Sequence, residues 1–120
     1  MPSHRKLLDG GWRDHAFQPF RPGVEMCVIV DGGEDAASVA LLRYAPGASV
    51  PWHWHQGLET ILVLEGSQAD EHGTYRAGEL VTNQAGSGHS VRSEDGCVIL
   101  IQWERPVRIA EDEAPPAAGV

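Results

Sequence analysis

The chain has 120 residues, 42% of them hydrophobic, which suits one ordinary globular domain with room for a core but not for two. Nine Lys and Arg against seventeen Asp and Glu leave a formal charge of −8, which repels phosphate backbones and anionic membrane surfaces and excludes nucleic acid as an expected partner. No apolar run approaches the roughly eighteen residues a membrane helix needs, and no apolar stretch of a secretory signal follows the basic start Met1-Pro2-Ser3-His4-Arg5-Lys6, so a cytoplasmic protein with no membrane partner is expected.

Residues 1–23, with Trp12, Phe17, Pro19 and Phe20, read as an irregular arm packed on the outside of the domain; His4 and His15 within it carry no signal. From residue 24 to residue 110 short apolar runs recur at about ten-residue spacing: 24–30, 38–44, 50–55, 60–64, 80–82, 89–92 and 97–103. Between them stand Asp31-Gly32-Gly33, Ala45-Pro46-Gly47, Glu65-Gly66, His72-Gly73, Ala77-Gly78 and Asp95-Gly96, all turn chemistry. Seven or more strands joined by tight turns imply an all-β, antiparallel sandwich or closed barrel. Val98-Ile99-Leu100-Ile101 is apolar on both parities, so both faces of that strand need cover, from the barrel interior on one side and from another sheet, the arm or a second subunit on the other. Residues 111–120, acidic and then rich in Pro and Ala, hold too little apolar surface to fold and are expected to be disordered.

Cys27 and Cys97 stand seventy residues apart, each among strand-like apolar neighbours and with no C-x-x-C partner, and read as core thiols. The chemistry lies elsewhere, in Gly47-x5-His53-x-His55-x3-Glu59-x6-Gly66. Two histidines at i and i+2 of an extended strand face the same way. A break at Gln56-Gly57 would return the chain so that Glu59 reaches the same centre, and a second block from Gly78 carries Gly86 and His89, a fourth donor. Three imidazoles and a carboxylate meet the ligand count and type of a transition-metal site. On the opposite parity Trp52 and Trp54 point outward and need cover, either by the arm around Phe17 to Phe20 or in a homodimer, the favoured expectation.

Gly47, His53, His55, Glu59 and Gly66 reproduce the first motif of the cupin superfamily, and Gly78, Gln84, Gly86, His89 and Ser93 resemble its second motif with the proline and asparagine positions changed. More narrowly, Leu62-Val63-Leu64-Glu65-Gly66, Asp70-Glu71-His72-Gly73-Thr74-Tyr75, Gly86-Ser87-Gly88-His89 and Gly96-Cys97 resemble the ChrR-like cupins, over roughly residues 20–105. That group includes the C-terminal domain of zinc anti-sigma factors, and the acetylacetone-cleaving dioxygenase is similar to it. The resemblance implies a small antiparallel β-barrel, the double-stranded β-helix or jelly roll, with His53, His55, Glu59 and His89 on one divalent ion inside. Iron or zinc leads, with manganese and nickel next. His72 falls to the Asp-Glu-His-Gly turn and not to the metal.

Three neutral imidazoles and one carboxylate would leave a divalent ion with net charge about +1 and, if six-coordinate, two open positions for a small-molecule ligand or dioxygen. One expectation is a metal-dependent dioxygenase acting on a small dicarbonyl-type substrate; the other is a non-catalytic zinc-binding or sensing module. Sugar isomerase chemistry ranks last, for want of a paired His and Tyr. The first 23 residues hold no cysteine and no helical period, so the helical zinc domain with which anti-sigma factors bind their sigma factor is not expected in them. Side-chain parity nominates Tyr44, Ile61, Val63 and Val91 as pocket residues and leaves the facing of Gln102 and Trp103 open.

Overall fold

The computed structural model describes residues 2–110; the stretch 111–120, expected to be disordered, lies outside the described residues. Ten strands follow two 3-10 turns at Leu7–Asp9 and Gly11–Asp14: β1 (Gln18–Arg21), β2 (Val24–Val30), β3 (Ser38–Tyr44), β4 (Ser49–His55), β5 (Glu59–Asp70), β6 (Gly73–Arg76), β7 (Leu80–Asn83), β8 (Gly88–Arg92), β9 (Cys97–Trp103) and β10 (Val107–Ile109). The protein is all-β and its pairings are antiparallel, in the order β1-β2-β3-β9-β5-β8-β4-β10, with β6 and β7 also on β5. Three strands were not announced by an apolar run. β1 contains Pro19, β6 is the polar Gly-Thr-Tyr-Arg, and β10 is only three residues long. Among the described residues no helix is long and apolar enough to cross a membrane.

The twelve-residue β5 curls the sheet. Its first half pairs with β7 and β9, its second half with β6 and β8, so one strand serves both layers. The bend falls at a register shift between Val63 and Glu65, and Gly66 follows it at φ +73°. A Cβ at Gly66 would stand 2.1 Å from the Gly96 carbonyl oxygen, so the crossover requires glycine on both conformational and steric grounds.

Side chains from both layers meet in one interior cluster that includes Val24, Leu42, Val50, Ile61, Val63, Val91, Ile99 and Ile101. The opposite parity of the same strands feeds a second cluster, in which Leu41, Leu64 and Val98 pack with Trp12, 6% exposed, and with Leu7 and Phe17. The double-sided apolar character of β9 is thus resolved by the N-terminal segment, which caps the outer face. Arg13 and Arg43 lie over the Trp12 ring, at 4.4 and 5.9 Å from its centroid, and Arg43 also over Phe17 at 4.5 Å, so the cap is sealed by cations on aromatic faces. With the arm occupied there, Trp52 and Trp54 remain 40% and 39% exposed, edge to face with centroids 6.5 Å apart.

Candidate metal centre

Strand alternation on β4 sends His53 and His55 inward, both buried, and Trp52 and Trp54 outward. The β4–β8 ladder sets His89 directly opposite His53. Residues 56–58 bend the chain back so that Glu59 opens β5 with its carboxylate buried. The four side chains converge: each offers a donor atom, and the donors all lie within 4.8 Å of one another. The imidazole centroids are 5.2 Å (His53–His55), 4.6 Å (His53–His89) and 4.7 Å (His55–His89) apart, with the rings steeply tilted, so the three rings splay around a common point and do not stack.

The far side of each ring fixes which nitrogen is available. His53 Nδ1 lies 3.0 Å from the Pro51 carbonyl, His55 Nδ1 3.0 Å from Ser87 Oγ, and His89 Nδ1 3.0 Å from Asp70 Oδ2. The Ser87 hydroxyl donates to the Gln84 carbonyl at 2.6 Å, so it accepts from His55. All three partners are therefore acceptors, which assigns the imidazole proton to Nδ1 and leaves the Nε2 lone pair facing the centre. His55 Nε2 and His89 Nε2 are buried and have no hydrogen-bond partner, an arrangement that costs free energy in a metal-free interior. Glu59 Oε1 lies 3.2 Å from His55 Nε2 and 3.7 Å from His89 Nε2. Ligands held about 2.1 Å from a shared ion stand roughly 3.0–3.4 Å apart when adjacent, a spacing that His55 Nε2 and Glu59 Oε1 meet, and the buried set of three imidazoles and a carboxylate is compatible with a single metal ion.

Glu59 is held from two further strands. Asn83 Nδ2 donates to Oε1 at 3.0 Å and Trp103 Nε1 donates to Oε2 at 2.8 Å. Burial pushes the Glu59 carboxyl up, but the close approach of His55 and the charges that the three imidazoles can carry outweigh it and hold the group below its ordinary value. Burial also lowers His53, which favours the neutral, ligating form. Asp70 feels the same burial and is nonetheless lowered, because it accepts from His89, from the His72 amide at 2.8 Å and from the Tyr75 hydroxyl at 2.9 Å.

Sequence reasoning missed this supporting set. Asp70 belongs to the turn to which His72 was assigned, and His72 does remain in that turn with its amide on Asp70. Ser87 sits in the second motif, and Trp103 ends an apolar strand as its one aromatic side chain. Of the nominated pocket residues, Tyr44, Ile61 and Val91 line a cavity of about 30 Å³ beside His53, Glu59 and His89, whereas Val63 is wholly buried in the core and is not in that lining. Burial raises the Tyr44 phenol far above its ordinary value, so it stays protonated even though its oxygen accepts from Gln68 Nε2 at 3.3 Å. Cys97 is buried, with its thiol pushed up to about 11 by desolvation, and Cys27 is half-buried; both are free thiols.

The ChrR Cupin-like domain model matches residues 11–105. Anti-sigma-E factor ChrR of Cereibacter sphaeroides is 34% identical over 107 residues, covering 87% of this chain and 46% of that protein, so the chain spans less than half the length of the curated relative it matches. The crystal structure of Rhodobacter sphaeroides SigE in complex with the anti-sigma ChrR superposes with a TM-score of 0.68 at 32% identity, over 75% of this chain and 50% of that one. An acetylacetone dioxygenase from Acinetobacter johnsonii shares the fold, with a TM-score of 0.74 at 16% identity over 87% of this chain and 78% of that one. With the match spanning both layers of the sheet and all four converging donors, the chain belongs to the ChrR Cupin-like domain family.

Proposed function

We propose that this cupin binds one divalent transition metal through His53, His55, Glu59 and His89 and uses it on a small molecule, with dioxygen-dependent cleavage of a dicarbonyl-type substrate as the enzymatic form. The observation that carries the reading is the pair of buried, unpartnered Nε2 atoms on His55 and His89 facing the Glu59 carboxylate. When bound, a divalent ion would supply a Lewis-acidic site for the two oxygens of an enolised dicarbonyl and for dioxygen. The protein's own part is positional. Ser87, Asp70 and the Pro51 carbonyl aim the imidazoles, Asn83 and Trp103 hold Glu59 as a ligand so that it does not swing freely as a base, and the apolar interior excludes water.

The second reading is a zinc-binding or sensing module without turnover, which the 34% identity to an anti-sigma factor favours. Four protein donors would then close a tetrahedral site and stabilise the barrel. Elemental analysis of protein purified without added metal, followed by oxygen uptake with iron restored and a panel of diketones, separates the two. Iron with substrate-dependent oxygen loss supports the oxygenase; stoichiometric zinc without uptake supports the module. In either case His55→Ala is expected to abolish stoichiometric metal, and full occupancy in that variant counts against the ligand set. We also infer that a second copy of the chain covers the exposed part of Trp52 and Trp54 on the outer face of β4.

A further inference from the structure

The 30 Å³ cavity beside the donors holds one or two waters and no more, so any larger ligand needs space elsewhere. That space adjoins it. A chamber of about 370 Å³ lies against the same wall and shares Phe20, Trp103, Val107 and Ile109 with the inner cavity. The register explains the sharing: Val107 and Ile109 pair on β10 with His55 and His53, and Trp103 pairs on β9 with Glu59. Trp103 thus faces the chamber, the inner cavity and, through its indole N–H, the Glu59 carboxylate.

The chamber's chemistry is one-sided. Its body is apolar, with Met26, Val28 and Ala40 completing the walls, while the turn after β2 brings two exposed carboxylates, Asp31 and Glu34, to its lining. No Lys, Arg or His lines it. An anion entering here would pass two like charges and meet no cation before the centre, whereas an uncharged molecule would lose only its hydration and gain apolar contact.

We propose that this chamber is the ligand antechamber of the metal centre and that it selects a small, uncharged, mainly apolar molecule with an oxygen donor at its inner end, against carboxylate-bearing analogues of the same size. The assignment rests on the reading of the four donors as a ligand-accepting metal centre, and it narrows the substrate class that reading leaves broad.

The test compares pentane-2,4-dione with 2-oxopentanoate, five-carbon probes that differ in charge, titrated into the full chain labelled at its methyl groups and followed by NMR, metal-free and zinc-loaded. The dione is expected to shift the methyl resonances of Val28, Val107 and Ile109 in both forms, and the oxo acid to bind about tenfold more weakly to wild type. Asp31→Asn with Glu34→Gln should shrink that gap to about threefold or less. Val28→Trp, at a half-exposed position where the fold tolerates bulk, should remove the dione shifts while zinc stoichiometry is kept. Equal or tighter binding of the oxo acid, an unchanged gap in the neutralised variant, or dione shifts confined to other methyls would overturn the proposal. Chamber shifts in a protein that takes up no zinc would instead sink the metal centre and leave the chamber standing.

Discussion

Asp70 shows how far the arrangement of the four donors depends on a group outside the donor set. One carboxylate oxygen meets His89 Nδ1 while the other is fixed by the His72 amide and the Tyr75 hydroxyl, so the carboxylate is immobilised before it orients the ring. Loss of such a partner costs about 10- to 100-fold in metal affinity. Asp70→Asn is therefore expected to weaken zinc binding by that range in competition with a chromophoric chelator, and Tyr75→Phe, which removes one bond on the remote oxygen, by less; unchanged affinity in the Asp70 variant would refute its role. The same shell sets a pH dependence for the metal-free protein. His53 is held below its ordinary 6.5, chiefly by burial, so the unfolded chain takes its proton first, and this contribution to stability is complete above about 6.5 and lost as the pH falls below it. Glu59 is also lowered, so its contribution is present above its ordinary 4.5 and is lost as the pH falls through the folded value. Both signs agree: urea unfolding of the chelator-treated protein should give a smaller free energy at pH 5.5 than at pH 7.5, and a smaller one again below 4.5, whereas a flat profile between 7.5 and 5.5 would contradict the state assigned to His53.

At the scale of the strands, β5 is the element on which the site turns, because it delivers Glu59 at one end and Asp70 at the other. Its bend places the first in the layer of β9 and the second in the layer of β8. Gly66→Ala would force a side chain into a left-handed backbone and against the Gly96 carbonyl, and is expected to cost about 2–4 kcal/mol in denaturant unfolding, with metal affinity falling alongside. A change under about 0.5 kcal/mol would show that the crossover tolerates a Cβ after all. The convergence of the four donors was legible before the fold because strand period and side-chain chemistry are both local: two residues apart means one face, and histidines with a glutamate are donor groups of the type that metals take. Seven apolar runs were legible for the same reason, and three of them, β2, β3 and β9, keep their bounds. The carboxylate behind His89 and the indole behind Glu59 were not legible, since nothing near Asp70 or Trp103 in the chain reveals the ladder that carries each to its partner. β5 itself was read only as 60–64, because Glu65-Gly66 looks like a turn; the structure uses that glycine to continue a strand around a corner.

For the molecule as a whole, two apolar surfaces outside the barrel interior, those on β9 and β4, have different fates. The outer face of β9 is covered by Trp12 and its neighbours within the chain. The outer face of β4 is covered less, and Trp52, Trp54 and Leu58 stay 40%, 39% and 38% exposed, an apolar surface of the kind that serves in protein contacts. A two-fold axis through that face would let each pair of indoles pack on the other, a self-complementary contact of the kind that makes homodimers. Two chains of charge −8 repel one another, so such a dimer must be held by the apolar contact and should tighten with salt as the repulsion is screened. Sedimentation equilibrium is expected to give about twice 13.0 kDa at physiological ionic strength, shifting toward the single-chain mass in low salt. Trp54→Glu should give the single-chain mass at any salt with metal stoichiometry intact, because the side chain points away from the donors that flank it on the strand. A wild-type chain that sediments as a monomer at every salt concentration would leave the two tryptophans without a partner of their own kind and remove the homodimer from the account.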